Sequence, residues 1–168
     1  NEKAYELFEF NALYYSNAKS WYILDNTFEF AYDNKPIIKV FESDLLGVSR
    51  DDTLKFYAVK GHVDIEKNDL IVSKAKASWE RVDLPLNEVY ADLYDFEINL
   101  RSGKYTCDSA LFFNKDALSR PALGRVIDKI YIAKPPVEEV DFPKFFSYQS
   151  KYRLSNIADN IVYEGGFS

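Results

Sequence analysis

Between Phe28 and Phe113, apolar and polar side chains take turns, and this period of two restricts the possible folds more than any other feature of the chain. In Tyr94-Asp95-Phe96-Glu97-Ile98-Asn99-Leu100, four apolar residues alternate with three polar ones, the pattern of a strand with one buried and one wet face. A helix would scatter the same residues around its axis, because its side chains recur about every 3.6 positions. Phe28, Phe30 and Tyr32 alternate with Glu29 and Ala31 up to Asp33-Asn34-Lys35-Pro36, where Asn and Asp accommodate a bend and proline presets φ. Ile38 and Val40 resume the pattern. Leu54, Phe56 and Ala58 then alternate with Lys55 and Tyr57 as far as Gly61, and Val63 and Ile65 come next, until Lys67-Asn68-Asp69. Arg101-Ser102-Gly103-Lys104 turns the clearest strand, after which Tyr105, Cys107, Ser109, Leu111 and Phe113 are expected on one side of the next. Val89, Ala91 and Leu93 alternate in the phase opposite to Tyr94, so a bulge or corner near Leu93 is needed to switch faces.

The flanks obey other rules. Tyr5, Phe8, Ala12 and Tyr15 recur at spacings of three or four, which predicts a helix over residues 4–18 that packs on the β domain. Pro121, Pro135, Pro136 and Pro143 punctuate the C-terminal part, and proline cannot donate to a ladder. One strand is expected near residues 125–133, then an extended Pro-Pro segment bearing Glu138, Glu139 and Asp141, then a last pair of strands within residues 152–167. The chain therefore reads as mainly β: a curled β-jelly-roll or short β-solenoid of stacked strands with an N-terminal helix. Its parts are a helix within residues 1–20, a β domain over 21–133 and a Pro-containing extension over 134–168.

Composition narrows the possible roles. With 168 residues, 47% of them hydrophobic and 29% charged, the chain is a normal globular length and mixture. A net charge of −6 repels a phosphate backbone, so no nucleic-acid partner is expected. The apolar runs fall far short of the ~20 residues of a membrane helix, so no transmembrane segment is expected. The chain opens on Asn1 and contains no methionine, which suggests a stretch of a longer protein. One cysteine, Cys107, and one histidine, His62, cannot supply an internal disulfide or a histidine-rich zinc site.

Catalytic arrangements find little support. A Cys107-His62 nucleophilic pair lacks any local signature, and Cys107 reads as a small core residue. Glu80, Glu88, Asp92, Asp95, Glu97 and Asp108 lie in or beside the best strands, yet a two-carboxylate mechanism depends on spatial separation and opposed pKa values. Asp51-Asp52 and Asn68-Asp69 supply oxygen ligands in turns but no twelve-residue calcium loop. No cofactor and no metal are expected. Aromatic residues offer the strongest binding candidates. Trp21, Tyr22, Trp79, Tyr90 and Tyr94 could together form a platform for sugar rings or a protein partner, although Trp79, following Lys76-Ala77-Ser78, reads more as a core residue than as a ligand contact.

The turn-bounded units from Val59 to Ala110 resemble the strand-and-turn rungs of OstA-like domains of lipopolysaccharide transport. A wider likeness rests on Phe30-Ala31-Tyr32-Asp33, Ser78-Trp79-Glu80-Arg81-Val82, Glu88-Val89-Tyr90-Ala91-Asp92-Leu93, Lys104-Tyr105-Thr106-Cys107-Asp108-Ser109, Arg120-Pro121-Ala122-Leu123-Gly124-Arg125 and Tyr163-Glu164-Gly165-Gly166-Phe167-Ser168. In these the chain is similar to a segment of large, uncharacterised exported envelope proteins of Bacteroidetes, with Lys60-Gly61 where that pattern has a Gly-Gly pair. The resemblance implies an exported protein, periplasmic or at the cell surface, and no catalytic residues. The expected role is a non-enzymatic structural or interaction module of the cell envelope. It would pair through β edges with neighbouring modules of the same chain or with a protein partner. The alternative is a glycan- or lipid-binding β-sandwich that uses exposed aromatics.

Overall fold

A computed structural model describes residues 12–24, 28–79, 88–132 and 143–149, and the backbone of 152–154 and 163–165. The described residues form β1 (Ala12–Tyr15), β2 (Lys19–Ile23), β3 (Phe28–Tyr32), β4 (Pro36–Ser49), β5 (Thr53–Asp64) and β6 (Asp69–Ser78). After these come β7 (Val89–Asn99), β8 (Lys104–Asn114), β9 (Ala122–Lys129), β10 (Lys144–Ser147), β11 (Tyr152–Leu154) and β12 (Tyr163–Gly165). Ten strands make one antiparallel sheet in the order β1-β2-β4-β5-β6-β7-β8-β9-β10, with β3 also on β4, while β11 and β12 pair separately. The mainly β expectation holds, and the expected final pair of strands is β11 and β12.

The strands run as a meander rather than as jelly-roll crossings or solenoid rungs. The reason is local. The turns after β3, β4, β5 and β7 are only a few residues long, and such links can join antiparallel neighbours but cannot return a parallel strand. Asn34 (φ 57°), Asn68 (φ 56°) and Gly103 (φ 68°) take the left-handed conformation that these turns demand. At Gly103 a Cβ would also meet Ile130 Cγ2 at 2.3 Å.

Among the described residues the expected N-terminal helix is not found. Ala12 and Tyr15, expected on a helix face, lie in β1 opposite Tyr22 and Ser20 of β2; residues 1–11 lie outside the described residues. The run Ala12-Leu13-Tyr14-Tyr15 suits a pleated, half-buried surface. Ser16 fixes the hairpin, its Oγ donating to Lys19 O at 2.8 Å and accepting from Lys19 N at 3.1 Å.

A line of bulges crosses the middle of the sheet. The buried face of β4 steps from Val40 to Ser43, of β5 from Phe56 to Val59, of β6 from Val72 to Ala75, of β7 from Leu93 to Phe96 and of β8 from Cys107 to Ala110. Each step is three residues where alternation would make it two. Glu42 (φ 59°), Ala58 (φ 50°) and Asp95 (φ 51°) absorb it with left-handed backbone in β4, β5 and β7. Without such a step, half of each long strand would turn its apolar set to water. The corner expected near Leu93 is the one at Asp95. The other bulges correct two expectations: Ala58 is exposed although Leu54 and Phe56 are buried, and Ser109 is exposed, with Leu111 and Phe113 leaving the face that holds Tyr105 and Cys107.

Bulges bend strands and raise their twist, and here the sheet curls around its apolar face. Phe56 is the centre of the filling. It stacks on Trp21 of β2 at 6.3 Å between ring centroids and meets Phe96 of β7 at 5.7 Å and Tyr105 of β8 at 5.1 Å. β5 and β8 stand three strands apart, roughly 14 Å in a flat sheet, so these rings touch only because the sheet rolls. Trp21 Nε1 donates to Leu100 O at 2.9 Å, and the buried Lys19 ammonium donates to Arg101 O. At the same end, Ile130 N donates to Gly103 O at 3.0 Å. Tyr131 N donates to Asp52 Oδ2 at 2.7 Å, and Ser49 Oγ donates to Tyr131 O. These bonds clasp the chain beyond β9 to the β4–β5 turn.

Candidate functional site: the outer edge of β3

β2 and β3 lie end to end along one side of β4, with β2 opposite Leu45 to Ser49 and β3 opposite Pro36 to Val40. β1 covers the far side of β2. No described strand covers the far side of β3. The sequence Phe28-Glu29-Phe30-Ala31-Tyr32 puts all three aromatics on one face, opposite Val40, Ile38 and Pro36, and Glu29 and Ala31 on the other, opposite Lys39 and Ile37. Phe28 packs partly on the core and meets Phe30 edge-on at 6.0 Å. Beyond it the aromatic row runs into solvent, Phe30 being 70% and Tyr32 79% exposed.

Edge strands are normally defended by charge, proline, bulges or shortness. β1 has a register shift between Ala12 and Tyr14, and β10 begins with Lys144 directly after Pro143. β3 has no proline, no lysine and an unbroken register, with Glu29 as its single charge.

The hairpin that presents β3 is anchored at its turn. Asp33 N donates to Lys35 O at 3.0 Å, and the Lys35 ammonium meets Asp64 Oδ2 at 2.7 Å. Asp64 is buried and also accepts from Glu66 N and Lys67 N, each at 3.1 Å. The hydrogen bond from Lys35 holds the Asp64 carboxyl below its usual value, against the cost of burial, and the same bond raises the Lys35 ammonium. Beside this hairpin an open groove of about 720 Å³ runs over the outer face past Lys39, Phe41, His62, Ile71 and Glu97.

The five aromatics singled out by sequence do not come together. Trp21 and Trp79 are buried on the inner face, Trp79 against Phe112 at 5.9 Å. Tyr90 and Tyr94 are half-buried on the outer face of β7, where Lys76 Nζ sits 4.0 Å and Lys74 Nζ 5.9 Å from their ring centres. Tyr90 also stacks on Phe113 at 4.6 Å. Tyr22 lies on β2 opposite Leu46, four strand positions from β7 in the sheet order. Phe30 and Tyr32, which that platform omits, are the most exposed rings among the described residues, and their signal is a strand with every aromatic on one side and no defending charge there.

Cys107, Asp108, Asp69 and Asp52 have structural partners. Cys107 is buried and its Sγ donates to Tyr94 O at 3.4 Å; burial pushes the thiol up. His62 lies on the opposite, outer face, in register with Lys39 and Ile71. Asp108 pairs with Arg125 at 2.6 Å, Asp69 accepts from Asn99 Nδ2 at 2.7 Å, and Asp52 joins the clasp to Tyr131. Glu80 lies outside the described residues. Among the described residues no group of three or more His, Cys, Asp or Glu side chains is placed to hold a metal ion, and no helix is long and apolar enough to cross a membrane. Comparison with protein-family models, with curated proteins and with solved structures finds no match.

Proposed function

We propose that this chain is a non-enzymatic structural or interaction module of the cell envelope that joins neighbouring modules of a longer protein, or a protein partner, by strand pairing. The edge of β3 that no described strand covers carries the reading. A row of N–H and C=O groups that no described strand pairs offers a ready ladder, and Phe30 and Tyr32 beside it offer apolar area that a docking strand would cover. Large apolar rings left in water at an undefended edge are what an association site requires and what a monomer avoids. The anchored β3–β4 turn adds preorganisation, which lowers the entropic cost of docking. The resemblance to exported envelope proteins supports the location.

Amide hydrogen exchange provides the test. The β3 amides on the free side should exchange fast in the isolated, dilute chain and slowly in the native envelope assembly. Equally fast exchange in both settings overturns the proposal.

A further inference from the structure

We propose that the occupant of the β3 edge is β3 of a second copy of this chain, paired antiparallel about a twofold axis through Phe30, so that two ten-stranded sheets become one. The inference rests on the edge-pairing function and names its partner. Self-complementarity of the strand selects that partner. A twofold, antiparallel pair places residue i opposite j and j opposite i. With Phe30 on the axis, Phe28 faces Tyr32 of the second copy, Phe30 faces Phe30, and Glu29 faces Ala31. All aromatics of both strands share one face, so the junction becomes a ladder of ring pairs, among the most favourable cross-strand pairs. The single charge of each strand, Glu29, falls opposite alanine rather than opposite its own copy, so the arrangement that stacks the rings also avoids like charges meeting. Shifting the centre to Glu29 would set two carboxylates face to face, and shifting it to Ala31 would leave both copies of Phe28 without a partner residue in β3. The five-residue strand therefore selects one register.

The exposed position of Phe30 makes the test clean, because its substitution spares the monomer core. Sedimentation of the full chain should show a concentration-dependent dimer. Phe30→Lys, which puts two ammonium groups opposite each other on the axis, should weaken that dimer roughly tenfold or more, with a thermal midpoint unchanged at dilutions where both chains are monomeric. Under mild oxidation Phe30→Cys should cross-link to itself. Phe28→Cys and Tyr32→Cys should each fail alone and cross-link when mixed. Cys107, buried in the core, does not compete.

A dimer that ignores Phe30→Lys and yields no Phe30→Cys cross-link overturns the inference. So does a chain that stays monomeric at its solubility limit, and amide exchange then separates the two levels. Fast exchange along β3 leaves an edge open to a different partner and removes only the second copy. Slow exchange in that monomer means the chain covers its own edge, and the edge-pairing function falls as well.

Discussion

The two tryptophans show how one residue type has two different energetic roles. Trp21 fills the centre of the roll and has its N–H satisfied by Leu100 O, whereas the buried Trp79 Nε1 has no hydrogen-bond partner among the described residues. An unsatisfied buried donor costs stability and a satisfied one returns it. Trp79→Phe should therefore lower stability by no more than about 1 kcal/mol, while Trp21→Phe, which strands a buried carbonyl, should cost about 2–3 kcal/mol; urea denaturation curves compare the two. Asp64 and Lys35 make a second case, read through pH. Because the folded Asp64 carboxyl titrates below the ordinary 3.8, the unfolded chain takes up the proton first as pH falls. The contribution of Asp64 is thus complete above that value and disappears as pH drops through the lower folded one. Lys35, raised above 10.5, contributes fully below that value and loses its contribution as pH rises through the higher folded one. Lys35→Met should shift the acid-unfolding midpoint to higher pH, and an unmoved midpoint would show that the backbone donors of Glu66 and Lys67 alone set the Asp64 carboxyl.

At the scale of the strand, the bulge line is where local cost is accepted for curvature. Ala58 holds φ 50° at an exposed position, where an L side chain costs about 1 kcal/mol or more and glycine costs almost nothing sterically. Ala58→Gly should therefore be neutral to stabilising by up to about 1 kcal/mol. Ala77→Gly, in regular buried strand, should destabilise. Equal losses in thermal midpoint at both sites would mean that the bulge at Ala58 is not strained. Of the bulges, the one in β7 is legible in the sequence because unbroken alternation flanks it on both sides, Ala91 and Leu93 before, Phe96 and Ile98 after. The bulge in β8 is hidden, since Leu111 and Phe113 are apolar on the wet face and prolong the apparent phase of Cys107. Over residues 12–18 the helix expectation gives way for a related reason: Ala12 and Tyr15 stand three apart, a spacing that two residues of a strand with a register shift also show. The Phe28-Phe30-Tyr32 stripe is plain in the sequence, but an edge that no described strand covers is not, because that depends on β2 and β3 sharing one side of β4.

On the scale of the whole molecule, what no local pattern encodes is the roll. Phe56 and Tyr105 are far apart in sequence and three strands apart in the sheet, and they meet because the bulges bend the sheet and an apolar face is there to be covered. A meander so curled still has two ends, and the chain beyond β9 is tied to the β4–β5 turn by bonds from Tyr131 N to Asp52 and from Ser49 Oγ to Tyr131 O, while Ile130 N donates to Gly103 O in the β7–β8 turn. Charge-assisted bonds of this kind are the stronger members of such a set. Asp52→Ala should cost roughly 1–3 kcal/mol and, more tellingly, should speed amide exchange at Ile130 and Tyr131 before it affects β4, β5 or β6. The ladder of β3 lies on the opposite end of β4 from the β4–β5 turn, so its exchange should not change. If Asp52→Ala instead accelerated exchange evenly through the sheet, the roll would be one cooperative unit with no separable clasp, and its curvature would be held by the aromatic filling alone.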